Sequence, residues 1–338
     1  MKNKKKLFIY CCDAASYRGE GILANNFIEI LGKVFKNCKI ILYTPENKSF
    51  FFKKRYLNKK INHSFFYKYV TPILGIFKIW EYHLKGNKTV YVNYLPLWNF
   101  LLFLFLPQET ILGPITGGSY HGKHFNIKSI LRKKIVLVFY SISIFIIELR
   151  NFKCIFSSKL LIKYLPNQIK KKSLFNFQLY NLVFLKNKKK NIDIIYYNRN
   201  HYTKKNDKVL YILEKLKKNF NILIVGDKVT NFKNLGIIPR DKLINYLKKT
   251  KFVFSSPENQ LSYFVLDAIR CNVQIISTNA QKPDFFKNFF VFPKKLNEEN
   301  IKKIISSNNK KFKSKKLLQK IRINNYQLFR FFKNNYGH

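Results

Sequence analysis

Two basic side chains follow a predicted strand in the second half of this 338-residue chain. The run IIYYN (194–198) is typical of a strand, Arg199 comes directly after it, and Lys204 stands five residues later. Arginine offers a planar fork of donors and lysine a compact charge, and both suit the oxygens of a diphosphate. In a chain so rich in lysine, ordinary basic loop residues are the alternative interpretation.

A polar turn lies between a strand and a helix pattern further along, in SSPENQLSYFVLDAIRCN (255–272). Pro257 suits the first turn of a helix, and Glu258 suits its positively polarised start, which also favours phosphate. Asn259 and Asp267 are eight residues apart, so a continuous helix would place them about 12 Å apart on one face. The start of the helix could then meet a sugar and the later acid a ribose diol. A simple helix cap with a solvated Asp267 is the alternative.

These side chains belong to a predicted βαβαβ unit that runs from Ile222 to Thr278. Its three strands are apolar runs, and helix patterns separate them. The order places the polar turn at the carboxyl end of a parallel strand, where ligands bind in open α/β sheets.

The first half of the chain alternates strands and helices in the same way. Strands are predicted at 7–12, 39–43 and 89–93, with a helix at 22–35 between the first two. The pattern indicates an α/β fold with a doubly wound parallel sheet in each half. The charged run KNKKKN (186–191) is the best candidate for a linker, and the chain length suits two domains.

The second half resembles the C-terminal half of GT-B glycosyltransferases, especially those of glycosyltransferase family 4. In that family the corresponding helix carries an acid, seven residues and a second acid, followed by a phrase of the EAMACG type. The run DAIRCN (267–272) is similar to that phrase and places Asp267 at the second acid. The resemblance implies that Asp267 contacts the nucleotide ribose, that Arg199 and Lys204 hold the diphosphate, and that Ser262 also lies against the donor.

The first acid of that pattern falls on Asn259, with Glu258 one residue before it. Either Glu258 takes the role of the acid through a shifted turn, or Asn259 binds the sugar as a neutral group. Both are therefore candidate catalytic residues.

Two glycine-containing turns in the first half also resemble turns of the family. They are GEG, with Gly19 and Gly21, in a predicted loop before a helix, and ILGPITGG, which ends in Gly117 and Gly118. Glycine lets the backbone approach a ligand closely, so the four glycines are candidates for the lining of the cleft.

As a whole, the resemblance implies two Rossmann-like domains that face a cleft. Residues 1–186 would form the acceptor-side domain and residues 187–312 the nucleotide-sugar-binding domain, with residues 313–338 as a helix that crosses back to the first domain. The expected activity is transfer of a sugar from a nucleotide-sugar donor to a cell-envelope glycan or lipid-linked acceptor, as in polysaccharide and lipopolysaccharide biosynthesis. The resemblance implies a retaining reaction without a metal ion or other cofactor.

The net charge of +47 is spread along the whole chain. A codon composition rich in A and T would explain the high lysine content without any function. The functional alternative is that the positive charge attracts the protein to an anionic membrane surface. A nucleic-acid-binding protein is a rival interpretation, but such proteins usually concentrate their basic residues on one face. A protein of GT-B shape without transfer activity is a second rival, because of Asn259.

Other features indicate a cytoplasmic protein that also attaches peripherally to the inner face of the membrane. The five cysteines show neither metal spacing nor a disulfide framework. The N-terminal apolar run of about six residues is shorter than a signal peptide requires. The apolar segments 95–106 and 135–147 fall short of the roughly 20 residues of a spanning helix, so we expect buried core helices, with an interfacial helix as the alternative.

Overall fold

The computed structural model of the chain describes residues 6–14, 19–45, 48–51, 65–117, 127–157, 159–175, 183–186, 188–200, 206–255, 261–278, 286–307 and 315–336. The chain divides into two compact units. The first comprises Met1–Asn181 together with Ile323–His338, and the second comprises Leu182–Arg322.

The first unit is built on a five-stranded sheet and a smaller three-stranded one. Its elements are β1 (Lys6–Tyr10), α1 (Gly19–Val34), β2 (Lys39–Thr44), β3 (Lys48–Phe51), α2 (Phe65–Leu84), β4 (Lys88–Tyr91), α3 (Phe100–Phe105), β5 (Ile111–Leu112), β6 (Pro114–Ile115), α4 (Ile127–Leu149), β7 (Ile155–Phe156), α5 (Asn167–Lys172) and β8 (Leu174–Phe175). The larger sheet has the order β3-β2-β1-β4-β5. Strand β3 pairs antiparallel to β2, and the other pairs are parallel. The smaller sheet, β6-β7-β8, is parallel.

The core of the first unit follows from the apolar run of β1. Four consecutive residues of this strand, Leu7 to Tyr10, are fully buried, as expected of a central strand whose sheet is covered on both faces. Phe8 stacks on Tyr82 of α2 with ring centroids 3.7 Å apart. The ring of Tyr10 lies 5.4 Å from that of Tyr91 in β4.

Two apolar segments of the first unit are less buried than the sequence predicted. Residues 95–106 contain only the short helix α3, because Pro96 and Pro107 bracket it. Residues 135–147 lie within the longer helix α4. Each helix exposes several large apolar side chains, so the prediction of buried core helices is wrong for one side of each. Among the described residues, no helix is both long enough and apolar enough to cross a membrane.

The second unit is a doubly wound sheet with six parallel strands. Its elements are β9 (Ile192–Asn198), α6 (Asp207–Leu216), β10 (Ile222–Gly226), β11 (Lys233–Gly236), α7 (Arg240–Leu247), β12 (Thr250–Phe254), α8 (Tyr263–Arg270), β13 (Gln274–Ile276), β14 (Phe290–Val291) and α9 (Glu298–Ser306), and the last helix of the chain, α10 (Lys315–Tyr336), begins in it. The strand order is β11-β10-β9-β12-β13-β14, which is the order 3-2-1-4-5-6 of dinucleotide-binding domains. The predicted α/β fold is confirmed, and the short strands β11 and β14 are additions to it.

A partly buried lysine joins three segments of the second unit. The Nζ atom of Lys190 donates to the carbonyl oxygens of Thr250, Cys271 and Asn272. It thereby satisfies carbonyls at the end of α8 and at the start of β12. Burial lowers the pKa of Lys190 to about 8.

The final part of α10 packs on the first unit. Phe332 is fully buried, and its ring lies 5.4 Å from that of Phe27 on α1 in an edge-on arrangement. Lys88 Nζ donates to the carbonyl oxygen of Tyr336 at 2.7 Å. The last turns of the chain are therefore part of the core of the first unit.

Candidate functional site

The second sheet has a topological switch point between β9 and β12. The chain leaves β9 toward β10 on one side and later returns to β12 on the other side. Ligands of open α/β sheets bind in the crevice outside the carboxyl ends of the strands at such a point. The carboxyl ends in question are those of β9, β10 and β12, which lead to Asn198, Asp227 and Ser255.

The carboxyl ends of β9 and β10 are tied together by hydrogen bonds. Asn198 Nδ2 donates to the carbonyl oxygen of Asp227 at 3.0 Å, and the Asp227 backbone N–H donates to the Asn198 carbonyl oxygen at 3.0 Å. The Asn200 backbone N–H donates to the Asp227 carboxylate at 2.6 Å. The chain following β9 is thus held against the end of β10.

Gly226 is required at the end of β10. Its φ is +98°, and a Cβ atom there would lie 2.2 Å from the carbonyl oxygen of Asn198. Any other residue would push β9 and β10 apart at the switch point.

One buried polar atom at this edge has no hydrogen-bond partner among the residues that the structure describes. The side-chain oxygen Oδ1 of Asn198 is buried and accepts no hydrogen bond from the described part of the chain. Its amide orientation is fixed, because Nδ2 must donate to Asp227. Burying an acceptor without a hydrogen bond destabilises the folded protein, so we expect a donor to Asn198 Oδ1 from outside the described residues.

An ion pair joins α7 to α8. Arg240, the first residue of α7, donates from Nε to Asp267 Oδ2 at 2.9 Å and from Nη2 to Asp267 Oδ1 at 2.8 Å. The side chain of Asp267 is 3% exposed and that of Arg240 is 27% exposed. Such two-point contacts are strong and fix the plane of the guanidinium. The pair therefore ties the first residue of α7 to α8.

Arg240 was missed by the sequence analysis, and it changes how Asp267 is understood. Both carboxylate oxygens of Asp267 accept from Arg240, so the acid has a partner within the protein. The contact between Asp267 and a ribose stays a prediction. The sequence could have indicated the place of Arg240. Proline is common at the start of helices, so an arginine directly after Pro239 is expected in the first turn of the helix that follows β11.

The start of α8 differs from the prediction. The helix begins at Tyr263, and its N-cap is Ser262, whose Oγ accepts from the Val265 backbone N–H at 3.4 Å. The predicted helix from Pro257, with Asn259 and Asp267 on one face, is therefore wrong. Ser262 is the N-cap of α8 because its hydroxyl accepts a hydrogen bond from one of the first backbone N–H groups of the helix. Its contact with a donor stays a prediction.

The other predicted donor-site residues are only partly described. Arg199 is exposed directly after β9, at the switch point. Lys204, Glu258 and Asn259 lie outside the described residues. Beside Arg199, the ring of Tyr197 stacks on Phe264 of α8 with centroids 5.3 Å apart.

The predicted cleft glycines of the first unit are placed differently from one another. Gly19 and Gly21 lie within the first turn of α1, so the loop predicted there is instead helix. Gly117 follows β6 with φ +157°. Gly118 lies outside the described residues.

A polar cluster that was not predicted ties the carboxyl ends of β1 and β4. The Asp13 backbone N–H donates to Asn93 Oδ1 at 3.1 Å, and Asn93 Nδ2 donates to the Asp13 carbonyl oxygen at 2.7 Å. Tyr94 OH donates to Asp13 Oδ2 at 3.2 Å. Burial raises the pKa of Tyr94, so the phenol keeps its proton and donates. The cluster fixes a buried carboxylate at the carboxyl edge of the first sheet.

Among the described residues, no group of three or more histidine, cysteine, aspartate or glutamate side chains is arranged to hold a metal ion.

Comparisons with known proteins extend the fold assignment. The sequence matches no protein-family model and no curated protein. The structure is similar to that of WaaG, a glycosyltransferase involved in lipopolysaccharide biosynthesis, with a TM-score of 0.55 and 11% identity over 97% of this chain and 95% of that chain. It is also similar to HepE from Anabaena in complex with UDP and glucose, with a TM-score of 0.54 and 10% identity over 97% and 99% of the two chains.

A third structure is MnaA from S. aureus in complex with UDP, with a TM-score of 0.52 and 11% identity over 97% and 96% of the two chains. This chain has the GT-B fold. At such low identity the likeness establishes the fold, and the chemistry must be argued from the residues of the site.

Proposed function

We propose that this GT-B chain is a glycosyltransferase that binds a nucleotide-sugar at the carboxyl edge of its second sheet. The observation that carries the proposal is the switch point between β9 and β12, where β9 ends in the buried Asn198 oxygen and exposed Arg199. The Arg240–Asp267 pair joins the two helices that precede and follow β12. Two of the similar structures hold UDP, so UDP is the first nucleotide to test.

The arrangement suits a ligand with an anionic part and a polar part. Arg199 and Lys204 would hold the diphosphate through charge-assisted hydrogen bonds. The guanidinium of Arg240, kept in one plane by Asp267, would donate to the ribose or to a phosphate oxygen. Asn198 Oδ1 would accept a hydroxyl or an N–H from the donor.

The chemical step would depend on charge stabilisation. Negative charge develops on the departing diphosphate, and the same basic residues would stabilise it in the transition state. Glu258 or Asn259 would position the sugar hydroxyls, and Ser262 would add a contact to the donor while it caps α8. We propose, following the resemblance to family 4, a retaining reaction that requires no metal ion and persists in excess EDTA.

The expected acceptor is a cell-envelope glycan or a lipid-linked sugar. WaaG, one of the similar proteins, is involved in lipopolysaccharide biosynthesis, which supports an acceptor of this class. We propose a cytoplasmic protein that works at the inner face of the membrane, with residues 1–186 on the acceptor side and 187–312 on the donor side.

Calorimetry with UDP, ADP, GDP and CDP tests the donor site. The wild-type protein should bind at least one of them, and Arg199→Ala and Arg240→Ala should each weaken binding about tenfold or more, because a hydrogen bond to a charged group contributes about 1.5–3 kcal/mol. Lys218→Ala, a basic residue after α6, is a matched control that should leave binding unchanged. Equal affinity in all four proteins would refute the site.

Transfer is tested separately from binding. A protein that binds a nucleotide-sugar but neither transfers nor hydrolyses the sugar would be a GT-B protein without transfer activity, as the replacement of the expected acid by Asn259 allows. A protein that binds duplex or single-stranded nucleic acid and no nucleotide-sugar would favour the nucleic-acid rival.

A further inference from the structure

Helix α2 in the first unit has an exposed apolar stripe. Ile73, Phe77, Trp80 and Leu84 are all exposed, and they recur every three or four residues, so they lie on one side of the helix. The opposite side is buried against the sheet through residues such as Ile79. Phe77 is 68% exposed, whereas a phenylalanine side chain in a folded protein is usually buried.

Helix α4 has a second stripe of the same kind. Ile135, Val138, Phe145 and Leu149 are exposed at helical spacing, and Phe145 and Leu149 are 65% and 72% exposed. The other side of α4, which includes Tyr140, is part of the same buried core as α2. The two stripes therefore turn away from one shared core.

The short helix α3 joins the two stripes. It packs against both α2 and α4, and it exposes Leu101, Leu104 and Phe105. Trp80 Nε1 donates to the carbonyl oxygen of Phe105 at 2.7 Å, which fixes the indole at the border between α2 and α3. The ring of Phe100 lies 5.5 Å from that of Phe139 on α4. We call the exposed apolar residues of α2, α3 and α4 the apolar face.

The apolar face is large for a monomeric protein. In the part of the chain whose side chains the structure describes, twelve of the eighteen exposed large hydrophobic side chains lie on these three helices. Since one fully exposed aromatic side chain offers roughly 150–250 Å², the face presents on the order of 1,000 Å² of apolar surface. The largest apolar patch of a typical monomer is about 300–600 Å² and usually has a function.

The rim of the apolar face is basic. Lys78 and Lys85 flank the stripe of α2, and Glu81 between them bonds to both, at 2.7 and 2.8 Å. Exposed Lys134 lies beside the stripe of α4, and Arg150 follows the end of that helix, where exposed Glu148 is the other acid. The four basic residues outnumber the two acids, in a chain with a net charge of +47.

We propose that the apolar face seats the protein on the surface of an anionic lipid bilayer. Apolar and aromatic side chains would enter the boundary between headgroups and acyl chains, while the rim lysines reach the anionic headgroups. The contact would lie in the plane of the bilayer surface, as for amphipathic helices that bind at the interface. A second copy of the chain fits less well, because self-association would bring two basic rims together in a complex of two strongly positive chains.

The two tryptophans of the chain make the contact measurable. Trp80 lies in the apolar face, whereas Trp98 packs against the core. In Trp98→Phe, vesicles of phosphatidylcholine and phosphatidylglycerol that carry brominated acyl chains should quench the remaining emission of Trp80. In Trp80→Phe, the same vesicles should leave the emission of Trp98 largely unchanged.

Sedimentation with the same vesicles separates apolar insertion from adsorption by charge alone. The variant Phe77→Asn/Phe145→Asn/Leu149→Asn should bind at least tenfold more weakly than the wild type. A control variant with two equally exposed side chains elsewhere, Tyr211→Asn/Tyr326→Asn, should bind as the wild type does. Wild-type binding should persist in part at roughly 0.5 M salt, where surface charges are largely screened. Circular dichroism would confirm that all variants are folded.

Three results would overturn the proposal. The first is that the wild type does not bind vesicles, and the second is that the triple variant binds as well as the wild type. The third is that the protein binds without quenching of Trp80 and that this binding is lost at high salt. A dimer in vesicle-free solution that the triple variant abolishes would assign the face to self-association instead. The proposal is independent of donor binding, because the face belongs to the first unit and the candidate donor site to the second. The triple variant should therefore bind nucleotide as the wild type does.

Discussion

Removing either partner of the Arg240–Asp267 pair should have unequal effects on stability. The carboxylate of Asp267 is 3% exposed, whereas water reaches the guanidinium of Arg240, which is 27% exposed. Arg240→Met would leave a buried carboxylate without its cation, which costs about 3 kcal/mol or more. Asp267→Leu would leave an arginine that can be hydrated, which we expect to cost about 1 kcal/mol. The double variant replaces the pair with apolar groups and should stay within about 1 kcal/mol of the wild type.

These values give a coupling energy of about 3–5 kcal/mol between the two positions. Urea unfolding followed by far-ultraviolet circular dichroism measures it. Tryptophan fluorescence is an internal control, because Trp80 and Trp98 both lie in the first unit and their transition should not move. Equal losses for the two single variants, or a double variant whose loss equals their sum, would refute the argument from unequal burial.

Three other perturbations test the packing of the two units. Gly226→Ala places a Cβ atom 2.2 Å from the Asn198 carbonyl oxygen at a φ of +98°, so it should destabilise the second unit by about 2 kcal/mol or more in the same urea assay. Phe332→Ala empties a fully buried site beside Phe27 and should lower the stability of the first unit by about 3–5 kcal/mol, read by tryptophan fluorescence; an unchanged midpoint would show that α10 does not belong to that core. Lys190 has its pKa lowered by burial from 10.5 to about 8, so between these values the unfolded chain binds a proton that the folded unit does not. From pH 8 to 10.5, the free energy of unfolding of the second unit should therefore rise more in the wild type than in Lys190→Met. Parallel curves of this free energy against pH for the two proteins would contradict the argument.

The alternation of strands and helices could be predicted because each central strand is a continuous apolar run between turn residues. Strand β10, ILIVG, is buried at all five positions. Strand β11, KNLG, is short, lies at the edge of the sheet and has no fully buried residue, so it gave no apolar signal.

The start of α8 could not be fixed from local signals alone. Pro257 and Ser262 are both suited to the first residues of a helix, and only the structure shows that the cap at Ser262 prevails. The pairing of Asp267 with Arg240 joins positions 27 residues apart, and it depends on how α7 packs beside α8. The sequence showed that Asp267 stands among apolar neighbours and thus needs a partner, but not which partner it has.

The exposed stripes of α2 and α4 show a related limit of sequence patterns. The apolar segment of α4 indicated a buried helix without showing which side the protein covers, and α2 was not among the predicted elements. In the structure, the core of the first unit covers one side of each helix and leaves the other exposed.

Hydrogen–deuterium exchange of the whole chain, with and without saturating UDP, tests the donor site most directly. We predict that UDP slows exchange in the second unit at the end of β9, at the turn after β10, and at the starts of α7 and α8. The same experiment on Arg240→Ala should show weaker protection at equal UDP concentration. No change in exchange with any of the four nucleoside diphosphates, or protection confined to the first unit, would contradict a nucleotide site at the switch point.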